Sequence, residues 1–121
     1  LQSELLLGNL DAKRDWGYAK DYVEAMWLIL QADESDDFIV ATGETYSVRD
    51  FCKIVFNKLD LNFEEFVKVD KRYFRPTEVD ILLGDASKAK EMLGWEPKVN
   101  IHTLADIMIE ADLKLLKNEK K

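Results

Sequence analysis

Residues 8–27, GNLDAKRDWGYAKDYVEAMW, decide the fold, because they lead from the end of a strand through a turn into a helix. The preceding run Leu5–Leu7 is short and apolar, which is typical of a buried strand. Residues 9–13 are turn-like. From Tyr18 to about Gln31, apolar residues recur at helical spacing and predict one amphipathic helix. Its predicted apolar stripe consists of Tyr22, Val23, Met26, Trp27 and Leu30.

Toward the middle of the chain, the sequence predicts a second strand and a second helix. Residues 38–41, FIVA, form a short β-rich run that favours a buried strand. Ser47, followed three residues later by Asp50, resembles a capping box at a helix start. The apolar periodicity then continues to about Lys58.

The C-terminal part adds one further strand and two helices. Residues 66–70 alternate like a strand, and residues 70–85 show no period and are predicted to be a long loop. A short helix is expected over 87–93, and Thr103 is expected to cap the last helix. These elements indicate one domain, residues 1–121, of a mixed, helix-rich α/β class, with too few strands for a complete doubly wound sheet.

The composition excludes several classes of protein. The 121 residues are 47% hydrophobic and carry a net charge of −7, so the chain has no broad basic face for duplex nucleic acid. No apolar run approaches the ~20 residues that a membrane span needs. The single Cys52 and the single His102 make a zinc site improbable, and we expect Cys52 to be a small buried side chain.

Two segments combine arginine with aromatic residues and are candidates for anion binding. They are residues 13–17, KRDWG, and residues 71–80, KRYFRPTEVD. A guanidinium group binds a phosphate through two parallel hydrogen bonds, and a nearby Glu78 can accept hydrogen bonds from sugar hydroxyls. The alternatives from composition alone are structural. Asp15 can lie beside the positive helix end in a capping and packing motif, and Arg72 and Arg75 can form surface ion pairs with Asp70, Glu78 and Asp80.

The order of three motifs carries a resemblance to a known family. GNLDAKRDWG at 8–17, YFRPTEVD at 73–80 and GDASKAKEMLGWEP at 84–97 resemble the GDP-mannose 4,6-dehydratases, which are extended short-chain dehydrogenases/reductases acting on nucleotide sugars. The resemblance covers about residues 5–116. It implies that this chain is the C-terminal, substrate-binding part of such an enzyme, and that the Rossmann half is missing.

The resemblance assigns a role to seven residues. It implies that Arg14 and Arg75 grip the diphosphate of the nucleotide sugar and that Glu78 accepts a ribose hydroxyl. The strand end at Leu7, Gly8 and Asn9 matches the backbone that lies along the guanine base, and Lys13 can add positive charge.

The family's catalytic and cofactor motifs do not occur in this sequence. There is no G-x-x-G-x-x-G loop and no Tyr-x-x-x-Lys pair, so no catalytic, cofactor-binding or metal-binding residue is assigned. The resemblance implies an NADP-dependent lyase that oxidises C4 of GDP-mannose, eliminates water across C5–C6 and returns the hydride to C6. The product is GDP-4-keto-6-deoxymannose, in the nucleotide-sugar metabolism that leads to GDP-fucose. It also implies a cytoplasmic homodimer or homotetramer, with NADP held outside this chain.

The sequence leaves two alternatives open for the function of this chain. The chain can instead be the substrate domain of a UDP- or dTDP-sugar epimerase or dehydratase, or a protein-interaction domain without a ligand. If this chain is part of a GDP-mannose 4,6-dehydratase, we expect it to be inactive alone. We also expect exposed apolar surface near Leu5–Leu7 and around Trp16, with a tendency to associate.

Overall fold

The computed structural model describes residues 2–119, which form helices around two small sheets. A 3-10 turn, Lys71–Tyr73, lies within the long loop. Within the described part, no helix is both long enough and apolar enough to cross a bilayer. The elements are β1 (Leu5–Leu7), β2 (Lys13–Arg14), α1 (Ala19–Gln31), β3 (Tyr46–Ser47), α2 (Val48–Lys58), α3 (Phe63–Phe66), β4 (Val67–Val69), α4 (Ser87–Leu93) and α5 (Ile101–Glu119).

Each sheet has two strands and brings distant parts of the chain together. β1 pairs with β4 in parallel, with Leu5 opposite Val67. β2 pairs with β3 in antiparallel, with Arg14 opposite Tyr46. The predicted strands at Leu5–Leu7 and within 66–70 are confirmed, and the mixed, helix-rich α/β class is confirmed with them.

The apolar core consists of two separate clusters. The first lies between α2, α3 and β4, and the second lies between α1, α4 and the segment that follows α4. Trp95 is almost fully buried in the second cluster, where its indole Nε1–H donates to the carbonyl oxygen of Asp21 at 2.8 Å. The buried members of the first cluster are Leu10, Cys52, Phe63 and Val67, and those of the second are Ala25, Ala89 and Trp95.

Helix α1 has the predicted bounds within one residue, but the predicted apolar stripe is largely on the wrong side. The helix buries Asp21 and Ala25, whereas Trp27 is 60% exposed and Leu30 is 81% exposed. The helix carries apolar residues on both faces, and in this chain the second core cluster, between α1 and α4, covers only one of them. An all-round apolar helix is typical of the interior of a larger protein. The exposed face, called here the outer face of α1, consists of Val23, Met26, Trp27 and Leu30.

The predicted strand at residues 38–41 does not form. Phe38 and Val40 pack against the α1–α4 cluster, while Ile39 is exposed. Within residues 2–119, no backbone group of this run makes a hydrogen bond to another backbone group. A strand requires a hydrogen-bonded partner, so a β-rich composition alone does not produce one.

The apolar surface predicted near Leu5–Leu7 and around Trp16 is exposed at the first place and half-buried at the second. Leu5 and Leu6 are exposed at 40% and 38%, so β1 is a strand, but it is not buried in this chain. Trp16 is only half-exposed, because its ring stacks on Phe51 at a centroid distance of 4.6 Å. Its Nε1–H also donates to the carbonyl of Tyr46 at 2.8 Å, which ties β2 to β3 and α2.

The helix ends show which capping predictions hold. Ser47 and Asp50 form the predicted reciprocal capping box at the start of α2. The prediction that Thr103 caps the last helix is wrong, since α5 begins at Ile101 and the Asn100 side chain accepts from the Thr103 N–H at 2.9 Å. Asn is as good an N-cap as Thr, and it comes first along the chain.

Candidate functional site

Strand β2 is held between two segments that come from far along the chain. On one side it pairs with β3. On the other side, the Lys13 N–H donates to the carbonyl of Asp80 at 2.7 Å, and the Leu82 N–H donates to the carbonyl of Lys13 at 2.9 Å. The first arginine segment and the end of the long loop are therefore neighbours.

The side chain of Arg14 reaches into this long loop. Its Nη2 donates to Oε1 of Glu78 at 3.1 Å, and its Nη1 donates to the carbonyl of Val79 at 2.7 Å. The Arg14 and Glu78 side chains are only 25% and 20% exposed. Partial burial makes such a charge-assisted contact stronger than a solvated one. The fork of the guanidinium thus fixes both the carboxylate and the adjacent backbone.

The predicted base-binding strand end borders the start of the same loop. The Leu7 carbonyl accepts from the Asp70 N–H at 2.8 Å. A Cβ on Gly8 would lie 2.5 Å from the carbonyl oxygen of Tyr73, so only glycine permits this close approach. The Asn9 side chain closes its own turn by accepting from the Asp11 N–H at 3.0 Å.

The two arginines in the loop differ in their contacts. Arg72 donates through Nε and Nη2 to Asp70 at 2.9 and 2.6 Å. This contact lowers the pKa of the Asp70 carboxyl below its ordinary value. Arg75 is exposed, and no ion pair or hydrogen bond of its side chain is found within residues 2–119.

Six of the seven residues predicted to bind the nucleotide contact or belong to residues 70–82, called here the 70–82 loop. Leu7 and Gly8 contact its start, and Lys13 and Arg14 contact its end, while the Asn9 side chain contacts Asp11 in the following turn. Arg75 and Glu78 belong to the loop itself. Of the two predicted diphosphate arginines, Arg14 is in an internal ion pair and Arg75 is not. The surface ion-pair alternative is therefore confirmed for Arg72, and no ion pair of Arg75 is found within residues 2–119, while the binding roles stay predictions.

Asp15 does not make the contact with the helix end that the sequence offered as an alternative. Asp15 does not cap α1, because the N-cap is Tyr18 and makes no side-chain capping bond. Its carboxylate instead accepts from Thr42, Gly43 and Gly84. These partners lie 27, 28 and 69 residues away, and no local pattern in the sequence points to them.

The remaining reactive groups lie outside this region. Cys52 is buried, as predicted, and burial raises the pKa of its thiol, so it is a packing residue. His102 is an exposed residue in the first turn of α5. In the part of the chain that the structure describes, no three His, Cys, Asp or Glu side chains are grouped to hold a metal ion.

Two curated proteins similar in sequence to this chain are GDP-mannose 4,6 dehydratases. The chain is 58% identical over 120 residues to GDP-mannose 4,6 dehydratase 1 of Arabidopsis thaliana, an alignment that covers 99% of this chain. It is 48% identical over 128 residues to the GDP-mannose 4,6 dehydratase of Homo sapiens, with 92% of this chain covered. The chain spans about a third of the length of these relatives, 33% and 34%.

Solved structures with the same fold come from nucleotide-sugar enzymes. A UDP-glucose 4-epimerase of Thermotoga maritima, solved with UDP-glucose, has a TM-score of 0.80 at 29% identity and covers 93% of this chain and 36% of its own. A dTDP-glucose 4,6-dehydratase of Bacillus anthracis, solved with NAD, has a TM-score of 0.76 at 16% identity and covers 89% and 34%. The latter shows the fold alone.

The family model assigns the chain. The model for GDP-mannose 4,6 dehydratase matches residues 1–108, which is most of the sequence, and includes all seven predicted nucleotide-binding positions. The chain therefore belongs to the GDP-mannose 4,6 dehydratase family.

Proposed function

We propose that this chain supplies the nucleotide-binding part of a GDP-mannose 4,6-dehydratase, with Arg14, Arg75 and Glu78 holding the GDP moiety. The single observation that carries the proposal is that six of the seven predicted residues contact or belong to the 70–82 loop. They come from the end of β1, from β2 and from the loop, which lies more than 50 residues after both strands along the chain. Loops anchored on a rigid scaffold are where ligand-binding groups usually lie.

The charge distribution supports an anionic ligand at this loop. The chain as a whole is acidic, with a net charge of −7, so its overall field does not attract a diphosphate. Binding must come from local guanidinium forks, and the chain offers one at the end of β2 and one within the loop itself. Arg75 makes no side-chain ion pair or hydrogen bond within residues 2–119, and Arg14 presents a half-buried guanidinium that already contacts Glu78 and Val79 of the same loop.

Glu78 fits the role of a hydroxyl acceptor. Arg14 donates to its Oε1 only, and Oε2 makes no hydrogen bond within the described residues. A carboxylate accepts up to four hydrogen bonds, so Glu78 can keep its contact with Arg14 and still receive a ribose hydroxyl. The pair thus couples the position of the diphosphate to that of the ribose.

The residues of this chain do not fit a dinucleotide cofactor. Such a site needs a strand, a glycine-rich turn and a helix whose N-terminus meets the phosphates. Among residues 2–119, β1 is followed by one glycine, Gly8, rather than a glycine-rich turn. The Tyr73 backbone occupies the space next to Gly8, and the chain continues from it into a turn rather than a helix. We therefore place NADP, the catalytic residues and the lyase activity in the part of the full-length enzyme that this chain does not span, and we propose a homo-oligomer for that enzyme.

Titration of the chain with nucleotides tests the binding role. We expect GDP and GDP-mannose to bind more tightly than UDP and dTDP, as measured by calorimetry, and GMP to bind more weakly than GDP because it lacks one phosphate. Equal affinity for UDP or dTDP would favour the epimerase-type alternative. No binding of any nucleotide at millimolar concentration would favour a domain without a ligand.

A chimaera tests the catalytic context. The matching third of the Arabidopsis thaliana relative, 58% identical, is replaced by this chain. We expect the chimaera to convert GDP-mannose into GDP-4-keto-6-deoxymannose and this chain alone to show no turnover. Turnover by the chain alone would show that we misplaced the catalytic residues. A folded chimaera that binds no GDP-mannose would overturn the proposal.

A further inference from the structure

We propose that Asp15 is a positioning residue, whose carboxylate holds the Arg14 strand and the end of the 70–82 loop in the arrangement that binds the nucleotide. The binding half of this inference rests on the proposed function of Arg14. The structural half stands on contacts of Asp15 that involve no ligand.

The Asp15 carboxylate accepts four hydrogen bonds from two other segments. Its Oδ1 accepts from the backbone N–H of Thr42 at 2.9 Å and from the Thr42 hydroxyl at 2.5 Å. Its Oδ2 accepts from the N–H of Gly43 at 3.1 Å and from the N–H of Gly84 at 3.2 Å. Both oxygens are therefore used, and every contact they make here is with a donor.

This donor pattern requires a carboxylate rather than an amide. If Asn replaced Asp15, its NH2 group would face either the Thr42 pair or the glycine pair, whichever way the amide is turned. With the NH2 group toward the glycines, the N–H groups of Gly43 and Gly84 lose their acceptor. With the NH2 group toward Thr42, the Thr42 N–H loses its acceptor, while the Thr42 hydroxyl can turn to accept. A neutral side chain of the same shape thus removes the contact without removing volume.

The packing around Gly84 shows how closely these segments approach. A Cβ at Gly84 would lie 2.3 Å from the Cβ of Ala41. Only a residue without a side chain lets the 84 backbone come close enough for its N–H to reach Asp15. Gly84 thus fixes the backbone two residues after the 70–82 loop against Asp15, the residue that follows β2.

A second cross-link connects the same three segments one residue away. The Thr45 hydroxyl oxygen lies 3.2 Å from the carbonyl oxygen of Arg14 and 3.0 Å from that of Leu82. With the backbone bonds between Lys13 and residues 80–82, β2 is therefore clamped on two sides. The direction in which Arg14 points toward Glu78 follows from this clamp, of which the Asp15 carboxylate is the charged member.

The test compares Asp15→Asn with Asp21→Asn. Asp21 is the control, because it is a buried carboxylate of α1 whose Oδ2 accepts from the N–H groups of Lys98 and Val99 at 3.0 and 3.1 Å. Both donors use the same oxygen, so Asp21→Asn keeps their acceptor and removes only the charge, whereas Asp15→Asn places an NH2 group against one of two donor pairs. The readouts are hydrogen exchange at the Lys13 and Leu82 amides, GDP affinity and the thermal midpoint.

We expect Asp15→Asn to speed hydrogen exchange of the Lys13 and Leu82 amides. We also expect it to weaken GDP binding by about tenfold, which is the size of effect expected when one charged hydrogen-bonding partner is lost. Asp21→Asn should lower the thermal midpoint. It should leave unchanged the ratio between the exchange rates of the Lys13 and Leu82 amides and the exchange rates of the α2 amides. If Asp15→Asn does not fold, Thr42→Val removes one of the four contacts and should give a smaller change in the same direction.

The outcomes separate this inference from the proposed function. If both Asn variants only lower the thermal midpoint, Asp15 is an ordinary structural residue and the inference is wrong. If wild-type chain binds no GDP, the proposed function fails, and amide exchange alone decides whether Asp15 holds the loop. Faster exchange with unchanged GDP affinity would show that the clamp does not position the binding groups, and would overturn the inference.

Discussion

The guanidinium of Arg14 and the carboxylate of Glu78 lie 3.1 Å apart, although 64 residues separate them along the chain. The same guanidinium donates to the Val79 carbonyl, so one side chain fixes both the acidic group and the backbone next to it. This contact closes the 70–82 loop onto β2. It also makes the loop's shape depend on the planar fork of arginine.

Replacing Arg14 by lysine should separate charge from geometry. Lysine keeps the positive charge, but its single nitrogen replaces the two that Arg14 aims at Val79 and Glu78, so we expect a loss of stability of about 1–3 kcal/mol and at least tenfold weaker GDP binding. Chemical denaturation and calorimetry measure the two effects. Arg49→Lys is the control, because the Arg49–Asp11 pair is more exposed and should cost under about 1 kcal/mol. Equal losses in the two variants would contradict a special role for the Arg14 fork.

Arg75→Ala should weaken nucleotide binding without destabilising the fold. Its side chain is exposed and makes no ion pair within residues 2–119, so its removal breaks no contact there. We expect an unchanged thermal midpoint and at least tenfold weaker GDP binding. Arg72→Ala, a nearby exposed arginine already paired with Asp70, should leave GDP affinity within about twofold. If Arg72→Ala weakened binding as much as Arg75→Ala, the loss would reflect general charge rather than a specific contact.

Local signals in the sequence predicted the elements whose cause is local. Ser47 and Asp50 sit three residues apart and form their capping box within one turn, so the start of α2 could be read directly. Asp15 shows the opposite case, since its acceptor role depends on donors from distant segments. The convergence of Arg14 and Glu78 is equally non-local, and only the order of family motifs indicated it.

The two wrong predictions about α1 and residues 38–41 have one physical cause. Apolar periodicity shows that a side chain avoids water, but it does not show which partner covers it. Helix α1 has two apolar faces and this chain covers one of them, so Trp27 is exposed where a core position was expected. Residues 38–41 have a strand's composition and lack a strand's partner within the described residues.

The outer face of α1 predicts self-association of the chain. Four large apolar side chains are exposed together there, and Leu30 is 81% exposed. We expect the double variant Trp27→Gln and Leu30→Gln to shift the chain toward monomer in sedimentation velocity at high concentration. Leu115→Gln on α5 removes an apolar side chain that is also well exposed, at 58%, and serves as the control. An equal shift in the control would indicate non-specific hydrophobic association rather than association through this face.

Gly8→Ala should disrupt the start of the 70–82 loop. The new Cβ would lie 2.5 Å from the Tyr73 carbonyl oxygen, which is backbone and cannot swing away. We expect a loss of about 1–3 kcal/mol in denaturation, the range for overpacking. Gly43→Ala is the control, since its Cβ meets nothing within 4 Å and only its positive φ of 81° is strained. Its cost should stay near 1 kcal/mol, and a smaller loss at Gly8 than at Gly43 would contradict the close approach.

The turn that leads to Arg75 should loosen in acid. Asp70 accepts from the Arg72 side chain and backbone, and these contacts hold the pKa of its carboxyl below the ordinary value. Because the pKa is lower in the folded than in the unfolded state, the contribution of this contact is present above about pH 4 and is lost as the pH falls through the lowered pKa. Titration of the Asp70 carboxyl by NMR measures the midpoint directly. In Arg72→Ala the midpoint should rise toward about 4, whereas an unchanged midpoint would show that Arg72 does not hold the turn.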